Sequence, residues 1–290
     1  MNDYRIITDS TTDLSPEMIA DLDITIIPLE FSIEGNRHLD YADGRDMDIK
    51  QFYSLVRSGQ MSTTGQVTVA RFTDVFEPLL KDGHDILYIA FSSGLSGTSS
   101  SAQVAAEELA GKYPERKIYS VDSLAASMGE GLLVYNAVMQ KRAGLNIEEL
   151  KAWVEENRNH LCHWFTVDDL YHLKRGGRVS PAAALVGTML GIKPVLHVDD
   201  EGHLIPVEKV RGRKQSLDAL VKHMVETVTN PEDQMIFISH GDCAEDANYV
   251  ADQIRSKMKV KDIVIHFVGP VIGAHSGPGT VALFFLGTHK

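Results

Sequence analysis

Tyr4-Arg5-Ile6-Ile7-Thr8-Asp9-Ser10-Thr11-Thr12-Asp13, followed by Ser15-Pro16 and then by Ile24-Thr25-Ile26-Ile27-Pro28-Leu29, decides the fold class. A short apolar strand runs into a polar turn. Ser15 then caps a helix whose first position is Pro16, the preferred order for a helix start. A second strand follows. Strand, polar loop, helix, strand opens a parallel α/β sheet, where ligands gather beyond the carboxyl ends of the strands. Asp9 and Ser10 therefore stand where a site is expected, although Asp9 serves equally well as a cap for the amides of its own loop.

The same pattern recurs downstream. Ile86-Leu87-Tyr88-Ile89-Ala90 reads as a buried strand that breaks at Phe91-Ser92-Ser93-Gly94-Leu95-Ser96-Gly97-Thr98, before a helix over 99–110. Small residues with free amides at a helix start make an anion seat. The lysine of a phosphate-binding P-loop and the G-x-G-x-x-G spacing of a dinucleotide fold are both missing. A strand over 117–121 ends in Asp122-Ser123, ahead of a helix over 125–142. Three strand ends in succession thus present small polar groups. Between the first two lie a polar, irregular stretch at 32–47 and a helix over 48–56. Next comes the loop Ser62-Thr63-Thr64-Gly65-Gln66-Val67-Thr68, ahead of a helix over 70–80. That loop carries more donors than one helix cap needs.

A helix over 147–158 bridges to the second half. This gives an N-terminal α/β domain at 1–159 and a C-terminal α/β domain at 160–290, with the last strand free to return to the first domain. The second half opens with a strand over 161–167 and a short helix over 168–173. Lys174-Arg175-Gly176-Gly177-Arg178 follows, then an apolar helix over 182–190. Arg175 and Arg178, hemmed in by apolar segments, read either as partner contacts or as buried counter-charges. Two strands around Asp199-Asp200-Glu201-Gly202 form a hairpin. Lys209, Arg211, Arg213 and Lys214 make a local basic patch. Near the end, Gly269-Pro270-Val271-Ile272-Gly273-Ala274-His275-Ser276-Gly277-Pro278-Gly279 separates two apolar runs. It reads as a tight loop between strands with His275 and Ser276 at its tip, glycine allowing backbone to approach a ligand and proline stiffening the rest.

Composition excludes several classes. The 290 residues are 43% hydrophobic and 23% charged, which is ordinary globular material with ample core. A net charge of −12 argues against nucleic acid. It also means that any site for an anion must supply its own local donors. Cys162 and Cys243, the two cysteines, cannot build a disulfide framework or a four-cysteine metal site. The twelve histidines show no H-E-x-x-H or comparable spacing, so neither a metal nor a cofactor is expected. No signal peptide and no membrane-length apolar run is present, which predicts a cytoplasmic protein.

Taken together, Asp9-Ser10-Thr11, the hydroxyl segment around Thr64, Ser92-Ser93-Gly94-Leu95-Ser96-Gly97-Thr98, Asp122-Ser123, Leu173-Lys174-Arg175-Gly176-Gly177-Arg178 and the 269–279 segment closely resemble the DegV family over essentially the whole chain. The resemblance implies a two-domain α/β protein holding one long-chain fatty acid (C14–C18) in a tunnel between its domains. It implies a bacterial carrier, not an enzyme, that presents the carboxylate to a separate fatty acid kinase. The acyl phosphate then feeds phospholipid synthesis, and a transient contact with a membrane surface is allowed. The family's carboxylate ligands fall on Thr64, Ser93 and His275. Asp9, Ser10, Ser92, Gly94, Asp122, Ser123, Gly273 and Ser276 stand in support, and Arg175 serves the kinase partnership or the head-group environment. One departure is local: the family's Thr-Ser-Gln-Pro-Ser reads here Thr64-Gly65-Gln66-Val67-Thr68, which loses a hydroxyl and a stiffening proline.

The energetics suit such a ligand. Burying roughly fifteen methylenes at about 0.8 kcal/mol each yields a gross gain on the order of 12 kcal/mol, much of it returned as association cost. Apolar wall material is available at 182–190, 192–196 and 284–286. The carboxylate needs several donors at once, which Thr64, Ser93 and His275 provide. The rival reading is a Ser/His hydrolase acting on a lipid ester, with Ser93 or Ser96 as nucleophile, His275 as base and Asp9 or Asp122 as orienter. Against it, Gly94-Leu95-Ser96-Gly97 is one residue short of a G-x-S-x-G elbow.

Overall fold

In a computed structural model, residues 4–168, 170–180 and 191–290 are described, so the helix expected over 182–190 lies outside the described residues. The chain builds a parallel sheet first. β1 (Tyr4–Asp9), β2 (Thr25–Ile27), β6 (Asp85–Ala90) and β7 (Ile118–Asp122) lie in the order β2-β1-β6-β7, all parallel. All six residues of β6 are buried, as a strand covered on both faces requires. Helix α1 (Pro16–Leu22) starts as its sequence dictates, with Ser15 accepting from Met18 N–H and Pro16 in the first turn.

A second, six-stranded mixed sheet forms from the later chain. β8 (Leu161–Thr166), β9 (Ile192–Val198), β10 (Leu204–Arg211), β11 (Met235–His240), β12 (Asp262–Phe267) and β13 (Val281–Leu286) take the order β10-β9-β8-β13-β11-β12. The hairpin expected around 199–202 is present as β9 and β10. The last strand, β13, lies inside this sheet between β8 and β11 and does not return to the parallel one. The expected division at residue 159 falls in the short link between α6 (Ile147–Asn157) and β8.

Two segments read as irregular or loop turn out to be strands. β3 (Glu30–Ile33) and β4 (Asn36–Leu39) pair through a two-residue turn, Glu34-Gly35, and β5 (Ser62–Gly65) adds to the other edge of β3. Thr64 is thus held on a strand opposite Phe31 rather than on a loop. Helices α2 (Ile49–Arg57) and α3 (Val69–Lys81) are capped by Asp48, which accepts from Lys50 N–H and Gln51 N–H, and by Thr68, which accepts from Arg71 N–H.

The two large sheets are joined by helix α5 (Met128–Arg142). Its first seven residues are buried in succession, the signature of a helix enclosed on all sides rather than on one stripe. Leu132, Leu133 and Val134 share one apolar cluster with Ile6 and Leu87 of the parallel sheet and with Phe165, Phe237 and Phe284 of the mixed sheet. Helices α8 (Arg213–Thr227) and α9 (Ala244–Lys257) cover the other face of the mixed sheet. Among the described residues no helix is long and apolar enough to cross a membrane.

Candidate functional site

The strand ends converge, as a parallel sheet requires, but most of their polar groups serve the scaffold. Asp9 is fully buried and accepts from Thr11 N–H, Thr11 Oγ1–H, Tyr88 O–H and Phe91 N–H. Of its two readings, the structure shows the cap. Ser10 Oγ accepts from Leu29 N–H. Ser92 Oγ donates to the Gly202 carbonyl and accepts from Gly94 N–H. Gly94 packs where a Cβ would collide with the backbone of Glu201 and Gly202. Asp122 accepts from Ser93 N–H and Leu124 N–H, and Ser123 Oγ from Ala125 N–H.

Beyond those ends lies a cavity of about 220 Å³, partly open to solvent. Phe165, Ala282 and Phe284 line it from one face of the mixed sheet, where Ala282 opposes Phe165 and Phe284 opposes His163 in register. Leu173, Leu204 and Val271 add to the apolar wall. Its concave, greasy lining suits a small-molecule ligand. The polar groups on the wall include Thr64, Ser96, Ser127, Arg178, Ser239 and His275.

Thr64 and His275, 211 positions apart, meet here, with Thr64 Oγ1 2.8 Å from His275 Nε2. The segment expected to be a strand-to-strand loop is partly helical: α10 spans Pro270–Ser276, with Pro270 in its first turn and His275 in its last. α10 packs its Val271 and Ala274 into the cluster of Phe31, Phe52 and Tyr53, and Gly273 lies where a Cβ would press on Tyr53 Oη. So the small three-stranded sheet carries Thr64, the late helix carries His275, and this packing sets the distance between them. Ser276 is buried on the cavity wall, and its Oγ has no hydrogen-bond partner.

Ser93 does not join the pair. It is exposed and off the cavity wall, whereas Ser96, three residues on, lines it. Leu95 N–H and Ser96 N–H both bond the Ser92 carbonyl, winding a turn that points position 93 outward toward Asp122 and position 96 inward. Ser96 Oγ also lies 3.0 Å from Thr98 Oγ1 and accepts from Thr98 N–H. Ser96→Ala is therefore expected to weaken ligand binding in the cavity several-fold and Ser93→Ala to leave it unchanged, as read by displacement of a fluorescent apolar probe.

Ser127 and Ser239 on the wall were not named from the sequence, nor was Gly176 as part of the site, and Arg178 was read only as a partner contact or a buried counter-charge. Arg178 lines the cavity, half-buried, with Nε donating to the Leu95 carbonyl 3.1 Å away and Nη1 to Gly176 O. Gly176 leaves room for His275, since a Cβ there would overlap the imidazole Nδ1. Arg175 has a different task. Its Nη2 donates to the carbonyls of Ala274 and Ser62 at 3.1 and 3.5 Å, tying α10 to β5, while the guanidinium sits over Tyr171. Within the basic patch Arg213 is likewise employed, pairing with Asp246 and donating to the Gly279 carbonyl. Lys209, Arg211 and Lys214 are exposed.

The imidazole is held neutral. Burial pushes His275 down to about 4, and the guanidinium groups of Arg178 and Arg175 push the same way. Its Nδ1 has no partner, so no carboxylate orients it, and Asp9 and Asp122 are committed elsewhere. The triad geometry of a Ser/His hydrolase is not assembled here.

The chain matches the profile described as uncharacterised protein, DegV family, over residues 3–288. It is 49% identical over 290 residues to a DegV domain-containing protein of Clostridium perfringens, covering 100% of this chain and 99% of that one. A DegV family protein from Thermus thermophilus, described for its fatty acid binding, superposes with a TM-score of 0.87 at 30% identity, over 98% of this chain and 99% of that chain. A stearic acid-binding protein from Eubacterium ventriosum superposes with a TM-score of 0.86 at 26% identity, over 97% of each.

Proposed function

The chain belongs to the DegV family, and from that premise we propose that it holds one long-chain fatty acid (C14–C18) in the cavity with the carboxylate at Thr64 and His275. In this reading it is a carrier in the bacterial cytoplasm rather than an enzyme, presenting the carboxylate to a separate fatty acid kinase for acyl phosphate formation. The observation that carries the reading is the Thr64–His275 pair on the wall of an otherwise apolar cavity. Solved relatives described as fatty acid-binding and stearic acid-binding support it.

The chemistry follows from the neutral ring. A buried unpaired N–H is rarer and costlier than an unpaired acceptor, which favours the tautomer with the proton on Nε2 and a bare Nδ1. Nε2–H then donates to Thr64 Oγ1, which frees the threonine hydroxyl to donate to a carboxylate. Ser96 supplies a further hydroxyl and Arg178 a partly desolvated positive charge. Hydrogen bonds to an ionised acceptor are shorter and stronger than neutral ones, so a few donors suffice to offset desolvation of the head group. Because Arg178 already donates to two carbonyls, it favours the anion by charge without a bidentate clamp. The carboxylate oxygens keep enough freedom to attack a nucleoside triphosphate bound to the partner.

Native mass spectrometry of protein purified from bacteria is expected to show one added mass, which denaturing extraction resolves as a single C14–C18 fatty acid. A protein that carries no lipid, and takes up none when offered, would overturn the assignment. For the presenting role, loaded protein mixed with a fatty acid kinase and ATP should yield acyl phosphate, trapped as the hydroxamate. Lipid binding without any product would confine the function to carriage.

A further inference from the structure

A second cleft, of about 150 Å³, opens between the Tyr41–Ile49 side and the chain leading into α10, away from the lipid cavity's apolar wall. Asp13 and Asp40 form its floor, and exposed Asp43 and Asp48 stand at its rim. The rim carboxylates are already employed. Asp43 pairs with Arg45, and Asp48 caps α2 through Lys50 N–H and Gln51 N–H. On the floor, Asp13 Oδ2 accepts from Ser127 Oγ, but one oxygen of each carboxylate is left over. Asp13 and Asp40 are 6% and 5% exposed, yet Asp13 Oδ1 and Asp40 Oδ2 have no hydrogen-bond partner. A Cβ placed on Gly269 would lie 2.6 Å from the first oxygen and 3.4 Å from the second, so the two are at most about 6 Å apart. Glycine at 269 thus keeps the space beside both open.

These bare oxygens need a positive neighbour. No Lys or Arg lines the cleft among the described residues, and Asp9 and Glu130 add two more buried carboxyls behind it. Burial pushes Asp40 up to about 7 and Asp13 well above the usual carboxylate range. Protonation removes the charge, but both bare oxygens border the same open space beside Gly269, which has room for a shared cation. A cation satisfies both oxygens at once. No group of three or more His, Cys, Asp or Glu among the described residues converges on a metal-sized point, so most of the shell must be water, for which an open cleft has room.

We propose that Asp13 and Asp40 bind a hard divalent cation, Mg²⁺ or Ca²⁺, through Asp13 Oδ1 and Asp40 Oδ2, with water completing its shell. The site shares no lining residue with the lipid cavity and is linked to it through Ser127. Asp13 Oδ2 accepts from Ser127 Oγ at 2.5 Å, and Ser127 lines that cavity.

The test uses chelator-treated full-length protein and Asp40→Asn, which keeps the shape and removes the charge. Millimolar Mg²⁺ or Ca²⁺ alone is expected to raise the unfolding midpoint of the wild type by several degrees and to leave Asp40→Asn unmoved. Tb³⁺, which accepts calcium-type oxygen sites and is sensitised by a nearby tyrosine, should give saturable luminescence through Tyr41, competed by Ca²⁺ and lost in the variant. An unmoved wild type with both ions, or an equal response from Asp40→Asn, overturns the proposal. Should Asp40→Asn fail to fold, saturable and Ca²⁺-competed luminescence of the wild type decides for the site, and its absence against.

Discussion

A protein carrying Thr64→Val and His275→Ala together is expected to fold as its parent does and to lose at least a hundredfold in fatty acid affinity. The expected size comes from the bonds removed. The Thr64 hydroxyl's bond to the charged carboxylate contributes roughly 1.5–3 kcal/mol and the His275–Thr64 bond that orients it about 1 kcal/mol more, so losing both costs about 3 kcal/mol or more. The acyl chain keeps its apolar wall in this variant, so residual binding should be weak and indifferent to the head group. A fatty alcohol of the same length ought to bind the variant about as well as the acid does, while the wild type prefers the acid. Both affinities can be read by fluorescent-lipid displacement. Wild-type affinity for the acid in the double variant would remove the anchor from the account.

The second large effect is at a residue with no polar atom of its own to offer. Gly176→Ala drives a Cβ into His275 Nδ1, and neither the helix end at Gly176 nor the packed α10 can yield freely. Overpacking of this kind typically costs 1–3 kcal/mol, and the ring must leave Thr64 to relieve it. Lipid affinity should fall at least tenfold, together with a lower unfolding midpoint. The neighbouring substitution supplies the control. Gly177 sits at φ +71° with open space where its Cβ would lie, so Gly177→Ala should cost about 1–2 kcal/mol of backbone strain and leave lipid binding intact. If the two variants lose lipid equally, Gly176 has no special relation to His275.

The contrast between those glycines shows what a sequence can and cannot disclose. A Gly-Gly turn announces a reversal of the chain, and the positive φ at Gly177 is the local reason for it. Gly176 answers to a ring 99 positions away, and nothing nearby in the chain marks that. The parallel sheet was legible because β1, β6 and β7 are local runs ending in polar turns. The β3–β4 hairpin carried a readable signal that was passed over. Phe31 and Ile33 alternate with half-buried Glu30 and Ser32, and Glu34-Gly35, both at positive φ, form a two-residue turn. Surrounding polarity hid it. Helix α10 carried the same proline-first start that identified α1, but four glycines in eleven residues favoured a loop reading.

The site was legible to the same degree. Thr64 and His275 were named and do meet, with the threonine on a strand and the histidine on a helix instead of on two loops. Ser93 and Ser96 could not be separated by inspection, because which hydroxyl faces inward depends on how the Ser92 carbonyl winds the turn. Arg178 stood between two readings, partner contact or buried counter-charge, and the cavity wall favours the second. A guanidinium sits close enough to the Thr64–His275 pair to help hold His275 neutral.

The central claim is that a fatty acid carboxylate sits within hydrogen-bonding distance of Thr64 Oγ1, beside the His275 ring that orients that hydroxyl, with its chain along the apolar wall. A crystal structure of the protein loaded with an ω-bromo fatty acid tests this most directly, because anomalous scattering locates the far end of the chain independently of the carboxylate density. The account predicts the carboxylate at Thr64 and His275 and the bromine among the apolar side chains that include Phe165 and Phe284. A bromine beside His275, or a lipid lying outside this cavity altogether, would contradict it.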